Sequence, residues 1–209
     1  MRTIFGIFGL LVIGAGLVLG VFGFMGVNLL AGQIPTDQGA SKTEGGFDNA
    51  VPDLVENANS SVGGPEDKTL KLTVPKMERL KNAAIPNTSG ADETKLKDYA
   101  GIHLEGTGFP WQDGANTYIA GHRLGYPSTK SFLAFYDQDK LKKGDKIFVT
   151  NSEGDKYTYR VFKSFVVDPS ELWVTEPVKG KSILTLQTCT LPDYSERIIT
   201  RAELVDVSR

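Results

Sequence analysis

Hydrophobic residues follow two different patterns in this chain, the first continuous and the second alternating. Residues 4–31 are almost wholly apolar apart from glycines and Asn28, and no charged side chain occurs between Thr3 and Thr36. A helix of about 20 such residues is long enough to cross the hydrocarbon core of a bilayer. The pattern therefore predicts a short cytoplasmic stub and a transmembrane signal anchor over residues 1–32, with the membrane contacted through residues 4–31.

A cleaved signal peptide is the alternative for this segment. Its apolar region usually has only about 7–15 residues and ends at a small-residue cleavage site, and no clear site of that kind follows residue 31. The anchor is therefore the favoured interpretation. Arg2 is the one charged residue before the span, and positive charge tends to stay in the cytoplasm. This orientation predicts a single-pass protein of the cell membrane with everything after residue 32 outside the cell.

The composition changes after the apolar segment. Residues 33–69 are rich in Gly, Ser, Asn, Pro, Asp and Glu and contain few large apolar side chains. Such a stretch cannot bury enough surface to offset the entropy lost on ordering. We expect a flexible extracellular tether over residues 33–69, followed by a single domain over residues 70–209, which is long enough to form its own core.

Alternating apolar and polar residues dominate the predicted domain. Most of these runs carry β-branched and aromatic side chains and end at turn signals such as Gly144-Asp145 and Gly154-Asp155. The predicted strands are Leu70–Val74, Asn116–Ala120, Lys146–Asn151, Lys156–Asp168, Ser182–Thr188 and Arg197–Val205. Only two short helices are expected, near Glu93–Tyr99 and Thr129–Asp137. The pattern predicts a mainly β fold, a closed antiparallel β-barrel of about eight strands with short helices.

Charge and cysteine content exclude several classes of function. The formal net charge is -2 and no basic block dominates any segment, so the chain does not look like a nucleic-acid-binding protein. One Cys and two His cannot supply the four paired ligands of a structural zinc site. We therefore predict no metal and no cofactor.

The single cysteine is nevertheless a candidate nucleophile. Cys189 follows the apolar run Ile183–Leu186 and precedes a polar, turn-like segment, so it lies at or just past a strand end. His122 also lies where an apolar strand breaks into a loop, and catalytic groups favour such places. A lone Cys is often only a small buried hydrophobic residue. The residues by themselves suggest a Cys–His pair but cannot place the two side by side.

Short motifs add to this reading through their order and spacing. The motifs are Ala120-Gly121-His122-Arg123, Leu141-Lys142-Lys143-Gly144-Asp145, Tyr159-Arg160-Val161 and Thr185-Leu186-Gln187-Thr188-Cys189. The last resembles the T-L-x-T-C signature of sortases, and the first resembles the A-G-H motif of the same family. Arg197 follows Cys189 at the spacing that the family shows. The chain thus resembles a sortase, a cysteine transpeptidase, over about residues 70 to 207.

This resemblance implies roles for particular residues. Cys189 would be the nucleophile, His122 its proton-transfer partner, and Arg197 the donor that stabilises the oxyanion. Three residues would bind substrate, because they match or adjoin the family's signal-binding groove: Thr188, Ala120 and Trp173. His103 lies in a His-x-x-Gly-Thr segment seen in several sortase subgroups, and its role is left open between loop structure and catalysis.

The resemblance also implies partners. Sortases cut a C-terminal sorting signal such as L-P-x-T-G or L-A-x-T-G between Thr and Gly, and pass the acyl group to an amine. The expected partners are secreted proteins with such a signal and an amine acceptor, either a peptidoglycan precursor or a pilin lysine. Segment 33–69 lacks the D-P-F or D-P-W lid motif of pilin polymerases, which argues against that class. The N-terminal anchor, the His-x-x-Gly-Thr segment and the compact loops resemble class E or class D sortases instead.

Two other functions remain as alternatives. An extracellular thiol peptidase would differ only in releasing its product to water. A non-enzymatic surface barrel with a buried Cys would show no reactive thiol.

Overall fold

The computed structural model describes residues 63–209. The predicted anchor and most of the predicted tether lie outside these described residues. Within residues 63–209, no helix is both long enough and apolar enough to cross a membrane. The strands of this region are β1 Leu70–Thr73, β2 Ala83–Ile85, β3 Asn87–Thr88, β4 Ile102–Leu104, β5 Asn116–Ala120, β6 Lys146–Thr150, β7 Lys156–Val167, β8 Ile183–Cys189 and β9 Arg197–Ser208. The helices are α1 Glu93–Asp98 and two 3₁₀ helices, Gln138–Lys140 and Leu172–Thr175.

All these strands belong to one sheet in the order β2-β1-β6-β7-β9-β8-β5-β4-β3. Its two end strands, β2 and β3, are separated in the chain by Pro86 alone. A single extended segment therefore pairs with β1 at one end of the sheet and with β4 at the other, which makes the sheet barrel-like. The predicted mainly β barrel is confirmed. Two of its pairings, β3–β4 and β5–β8, are parallel instead of antiparallel.

Strands β5 and β8 form the centre of the fold, and nearly all their residues are buried on both faces. Burial on both faces is typical of parallel strands that are covered on each side. Ile119 and Leu186 face the main core, which draws on β1 and on strands β5 to β9. Tyr118 and Ala120 point to the other face and belong to a second cluster. That second cluster is completed by Leu96, Ile102, Leu104, Val174 and Ile199.

The helix expected near Thr129–Asp137 is not formed, and this prediction is wrong. Residues 127–137 make consecutive turns that lead into the 3₁₀ helix Gln138–Lys140. Ser128 and Leu133 have positive φ angles of 66° and 55°, a conformation that an α-helix of L-residues excludes. Hydrogen bonds from Leu133 N to Leu124 O and from Phe135 N to His122 O tie these turns to the end of β5. Tertiary contacts thus override the helical pattern.

The first described residues pack on the domain although they belong to the predicted tether. Trp111 Nε1 donates a hydrogen bond to Gly63 O at 2.5 Å, and the Lys68 ammonium lies 5.2 Å from the Trp111 ring centroid. Pro65 is buried. Residues 63–68 are therefore packed on the domain ahead of the first strand.

Candidate active site

Strand register brings three of the predicted residues into one row. On β8 and β9, Cys189 and Arg197 are direct antiparallel partners, so their side chains leave the sheet on the same face. On β5 and β8, the parallel register pairs Ala120 with Gln187, and Gly121 N continues it with a 3.1 Å hydrogen bond to Gln187 O. Continuing by one more residue sets His122 beside Cys189. His122, two residues past the end of β5, therefore continues a row with Cys189 of β8 and Arg197 of β9.

A buried hydroxyl holds the strand ends that carry this row. Thr188 is fully buried, and its Oγ1 donates to Gly121 O at 2.8 Å, next to His122 in the chain. By the alternation of a strand, the Thr188 side chain lies on the opposite face from Cys189. This geometry offers the Thr188 side chain no contact with a ligand on the Cys189 face, so the prediction that Thr188 binds substrate gains no support. Its bond instead fixes how β5 meets β8.

Close packing fixes the backbone just before His122. A Cβ on Gly121 would lie 2.3 Å from the Phe135 ring and 2.8 Å from Ala100 O. Distances under 3 Å are not seen for real Cβ atoms, so only glycine fits here without displacing a neighbour. The glycine of the Ala-Gly-His motif therefore lets β5 pass between the Phe135 ring and the chain before β4.

The imidazole of His122 is partly buried and contacts an aromatic ring. Tyr126 meets it edge-on, with 5.5 Å between the ring centroids. Burial lowers the pKa of His122, because the charged imidazolium loses hydration. At neutral pH the resting imidazole is accordingly neutral and able to accept a proton.

Burial acts on the cysteine in the opposite sense. It raises the pKa of the Cys189 thiol, and the nearby Arg197 charge only partly offsets the effect. A raised thiol pKa and a lowered imidazole pKa together favour the neutral thiol–imidazole form at rest. These directions favour a thiolate that forms by proton transfer to His122 over a resting ion pair.

The third member of the row is a buried guanidinium. Arg197 is only 7% exposed, and its Nη1 donates to Tyr194 O at 2.9 Å and Glu196 O at 3.2 Å. Its Nε is buried without a hydrogen-bond partner. Within residues 63–209, no carboxylate lies within ion-pair distance of this side chain. An unneutralised arginine directly opposite Cys189 suits a developing negative charge.

The sheet face that carries His122, Cys189 and Arg197 continues along β5, β8 and β9 as a partly polar surface. Counting back by two residues from the row gives Ala120, Gln187 and Ile199, and then Tyr118, Thr185 and Arg201. Ala120 is 1% exposed and lies in the first of these positions, so it shares a face with Cys189, as a groove residue must. The predicted role of Ala120 in substrate binding stays a prediction.

Trp173 lies on the segment that borders this surface. It is 42% exposed and stacks on Phe165, with interplanar angle 4° and ring centroids 5.6 Å apart. The Arg201 guanidinium lies 5.1 Å from the Trp173 ring centroid and donates to Val174 O at 3.1 Å. Trp173 therefore presents a partly exposed aromatic ring beside Arg201 of this surface, which is compatible with its predicted role.

Sequence reasoning missed two polar residues of this surface, Tyr118 and Gln187. Tyr118 OH donates to Gln187 Oε1, and Gln187 Nε2 is buried without a partner. Arg201, on the same surface, is only 8% exposed. Counting by two from Cys189 and from Arg197 points to Gln187 and Arg201, but Tyr118 also requires the pairing of β5 with β8.

His103 lies in β4, away from the row. It is fully buried, with Nδ1 2.7 Å from Asn87 Oδ1 and Nε2 3.0 Å from Gly108 O. Burial lowers the pKa of His103 to about 4, while the hydrogen bond with Gly108 O opposes this. The two ring nitrogens are occupied by Asn87 of β3 and by Gly108 of the loop after β4, which indicates a structural role. Within the described residues, no cluster of His, Cys, Asp and Glu suitable for a metal ion occurs.

Comparison with known proteins agrees with the motifs and the geometry. The family model described as "Sortase domain" matches residues 72–205. The chain belongs to the sortase family. Sortase A of Streptococcus agalactiae serotype III (strain NEM316) is 35% identical over 121 residues, which are 57% of this chain and 47% of the relative. Sortase A of Bacillus anthracis is 31% identical over 163 residues, or 74% of this chain and 67% of the relative. This sortase thus spans about half the length of the first relative.

Solved sortase structures have the same fold. Sortase C-3 from Streptococcus pneumoniae superposes with a TM-score of 0.60 at 26% identity, covering 76% of this chain and 75% of that chain. Group B Streptococcus Pilus Island 1 Sortase C2 gives a TM-score of 0.56 at 31% identity, covering 69% and 77%. These matches include proteins named sortase A and sortase C, so they leave the subclass of this sortase open.

Proposed function

We propose that this sortase is a membrane-anchored, extracellular cysteine transpeptidase that cuts a C-terminal L-P-x-T-G- or L-A-x-T-G-like signal between Thr and Gly. The row of His122, Cys189 and Arg197 is the observation that carries the proposal. The registers of β5, β8 and β9, continued two residues past β5, support a thiol with an imidazole on one side and a guanidinium on the other.

Each side chain then has one task in the first half-reaction. His122 takes the proton of the Cys189 thiol, and Sγ attacks the Thr carbonyl carbon. Negative charge grows on the carbonyl oxygen, where Arg197 donates hydrogen bonds. The C–N bond breaks as His122 returns the proton to the departing Gly amine, which leaves a thioester on Cys189.

The second half-reaction reverses these roles. An amine attacks the thioester carbonyl carbon, and His122 accepts the proton that this nitrogen loses. The C–S bond breaks, and Cys189 leaves as a thiolate that recovers the proton from the imidazolium. A new amide joins the substrate protein to its acceptor, so no water is consumed.

We propose secreted proteins with the sorting signal as substrates, and a peptidoglycan precursor or a pilin lysine as acceptor. The class E-like or class D assignment is kept, on the predicted anchor and the His-x-x-Gly-Thr segment, and the absence of a D-P-F or D-P-W motif in residues 33–69 argues against a pilin polymerase. The predicted anchor at 4–31 would hold the domain at the outer surface of the membrane, with residues 33–62 as a spacer.

Incubating the protein with a quenched fluorescent sorting peptide and glycinamide tests the proposal. We expect cleavage after Thr, and a product mass that contains the added amine. Cys189→Ala is the matched control and should give neither product. Product that carries only water even at high amine concentration would favour the thiol peptidase. Full activity of Cys189→Ala would contradict the mechanism.

A further inference from the structure

A basic cleft lies beside the active-site row. It is lined by Arg79, Lys81, Ala83, Ala84, Ala100, Thr129 and Lys130 and has a volume of about 290 Å³. Three of its seven lining residues are cations, and none is acidic. The remaining lining is small and mainly apolar, which leaves room for a polyatomic anion.

The three cations of the basic cleft have no carboxylate partners within residues 63–209. Arg79 lies instead over the Phe132 ring at 5.5 Å from its centroid, and Lys130 over the Tyr99 ring at 5.4 Å. A second ammonium, that of Lys95, shares the Tyr99 ring at 5.2 Å. Like charges gathered in this way repel each other, and an anion placed among them removes the repulsion.

The basic cleft adjoins the base of the active site through the backbone. Ala100, one of its lining residues, has its carbonyl oxygen 2.8 Å from the place of a Cβ on Gly121, the neighbour of His122. Ala100 precedes β4, and β4 and β8 flank β5 on opposite sides. The cleft therefore approaches His122 from the side of β4, whereas Cys189 approaches it from the side of β8.

A side-chain path makes the same connection. Thr129, another lining residue, donates a hydrogen bond from Oγ1 to Tyr126 O at 2.8 Å. The Tyr126 ring in turn meets His122, and the Lys97 ammonium lies 5.9 Å from the same ring. A molecule held in the basic cleft is thus next to the residue that must deprotonate the incoming amine.

We propose that the basic cleft binds a phosphate or diphosphate group carried by the amine acceptor. This inference rests on the proposed function, since it requires a second substrate. Neighbouring strands are about 4.8 Å apart, so two spacings separate β4 from β8, or about 10 Å. The acceptor must therefore carry its amine about 10 Å or more from its phosphate. A span of about three extended residues satisfies this distance.

Two matched peptides test this requirement on the full-length protein. Gly-Gly-Gly-phosphoserine amide carries an amine and a phosphate at the required separation, and Gly-Gly-Gly-serine amide lacks only the phosphate. The first measurement is the KM of each acceptor in transfer to a sorting peptide. The second is direct binding of both peptides to Cys189→Ala by calorimetry, which requires no turnover.

We expect the KM of the phosphoserine peptide to be about tenfold lower at low ionic strength, with the preference shrinking in high salt. The triple variant Arg79→Gln/Lys81→Gln/Lys130→Gln should reduce the KM ratio to about one. Another triple variant, Lys142→Gln/Lys143→Gln/Lys146→Gln, removes the same charge from exposed positions elsewhere. This charge-matched control should keep the tenfold ratio.

Three results would overturn the inference while leaving the proposed function intact. The first is transfer to both peptides with equal KM and equal binding. The second is equal loss of the preference in both triple variants, which would mean a general charge effect. The third is inorganic phosphate binding as tightly as the phosphoserine peptide, which would assign the cleft to free phosphate.

A membrane surface is tested separately. Phosphatidylglycerol vesicles that sediment the wild type but not the Arg79/Lys81/Lys130 variant, without any preference between the peptides, would assign the cleft to lipid headgroups and overturn the acceptor role. Failure of the proposed function looks different, because neither peptide would then be joined to the sorting peptide. Binding of the phosphoserine peptide to Cys189→Ala would still decide whether the cleft holds its phosphate.

Discussion

Lowering the pH from 7 to 5 should destabilise this sortase through one buried side chain, His103. The folded state lowers its pKa from 6.5 to about 4, because burial removes hydration from the imidazolium. An unfolded chain has no such burial, so its His103 takes up a proton near pH 6.5. Between these two pKa values the unfolded state binds more protons than the folded state, and stability must fall as the pH falls.

The size of the effect follows from the two pKa values. A pKa difference of one unit corresponds to about 1.4 kcal/mol. Integrating the proton uptake of this single group gives a loss of about 2 kcal/mol between pH 7 and pH 5, and about 3 kcal/mol by pH 4. Such a loss is a large share of the 5–15 kcal/mol that is usual for a folded domain.

Guanidinium unfolding at pH 7 and pH 5 measures this loss. Trp111 and Trp173 are the two tryptophans of the chain, so their fluorescence reports the catalytic domain even in the full-length protein. His103→Gln removes the titrating group and should cut the pH-dependent loss by about 2 kcal/mol. The variant itself will be less stable at both pH values, since it loses buried hydrogen bonds, so the comparison concerns the change with pH.

The matched control is His122→Gln, because the pKa of His122 is also lowered by burial. It should remove a separate part of the pH dependence and nearly all activity. If His103→Gln left the loss between pH 7 and pH 5 within about 0.5 kcal/mol of wild type, the buried neutral state of His103 would be refuted. If folded His103→Gln lost activity as completely as His122→Gln, its structural role would be wrong.

Three further outcomes are expected from the active-site row. Alkylation of Cys189 by iodoacetamide should speed up with pH until above pH 9, because burial raises the thiol pKa; a plateau near pH 7 would indicate a preformed thiolate. Arg197→Lys should lower kcat by roughly 10²-fold with little change in KM, since an ammonium lacks the planar donor fork. Arg160→Lys, at an exposed position of β7, is the control. Normal turnover of Arg197→Lys would show that another group stabilises the oxyanion. Thr188→Val should lower kcat by about tenfold, because it removes the hydrogen bond to Gly121 O that positions His122. A crystal structure of the variant with His122 in its original position would contradict this explanation.

The sequence alone was sufficient to predict the longer strands and to identify the candidate catalytic residues. Strand β5 was predicted at its observed bounds, and β7 and β8 to within one residue at each end. Their β-branched and aromatic residues reflect local conformational preference and burial, which a window of sequence records. Cys189 and His122 were marked in the same way, since each lies where a patterned strand meets a loop, whereas Arg197 was marked by the resemblance to the sortase family.

Short elements and strand pairing were decided by tertiary structure. Strands β2, β3 and β4 have two or three residues each, too few for any periodicity to appear. The parallel pairing of β5 with β8 joins residues far apart in the chain, and no local pattern specifies that register. Only this register sets His122 beside Cys189 and brings Tyr118 onto the same face.

The turns after β5 and the basic cleft were also decided by tertiary structure and not by local sequence. Leu133 has a positive φ, and its backbone N–H donates to Leu124 O nine residues earlier. This hydrogen bond between turns outweighs the local helical propensity. Arg79 and Lys81 share one short segment, whereas Lys130 lies far along the chain, and all three look like ordinary surface charges in the sequence. In the folded domain they lie around Ala100, close to His122. The sequence does not predict this proximity, because it depends on how the strands pair.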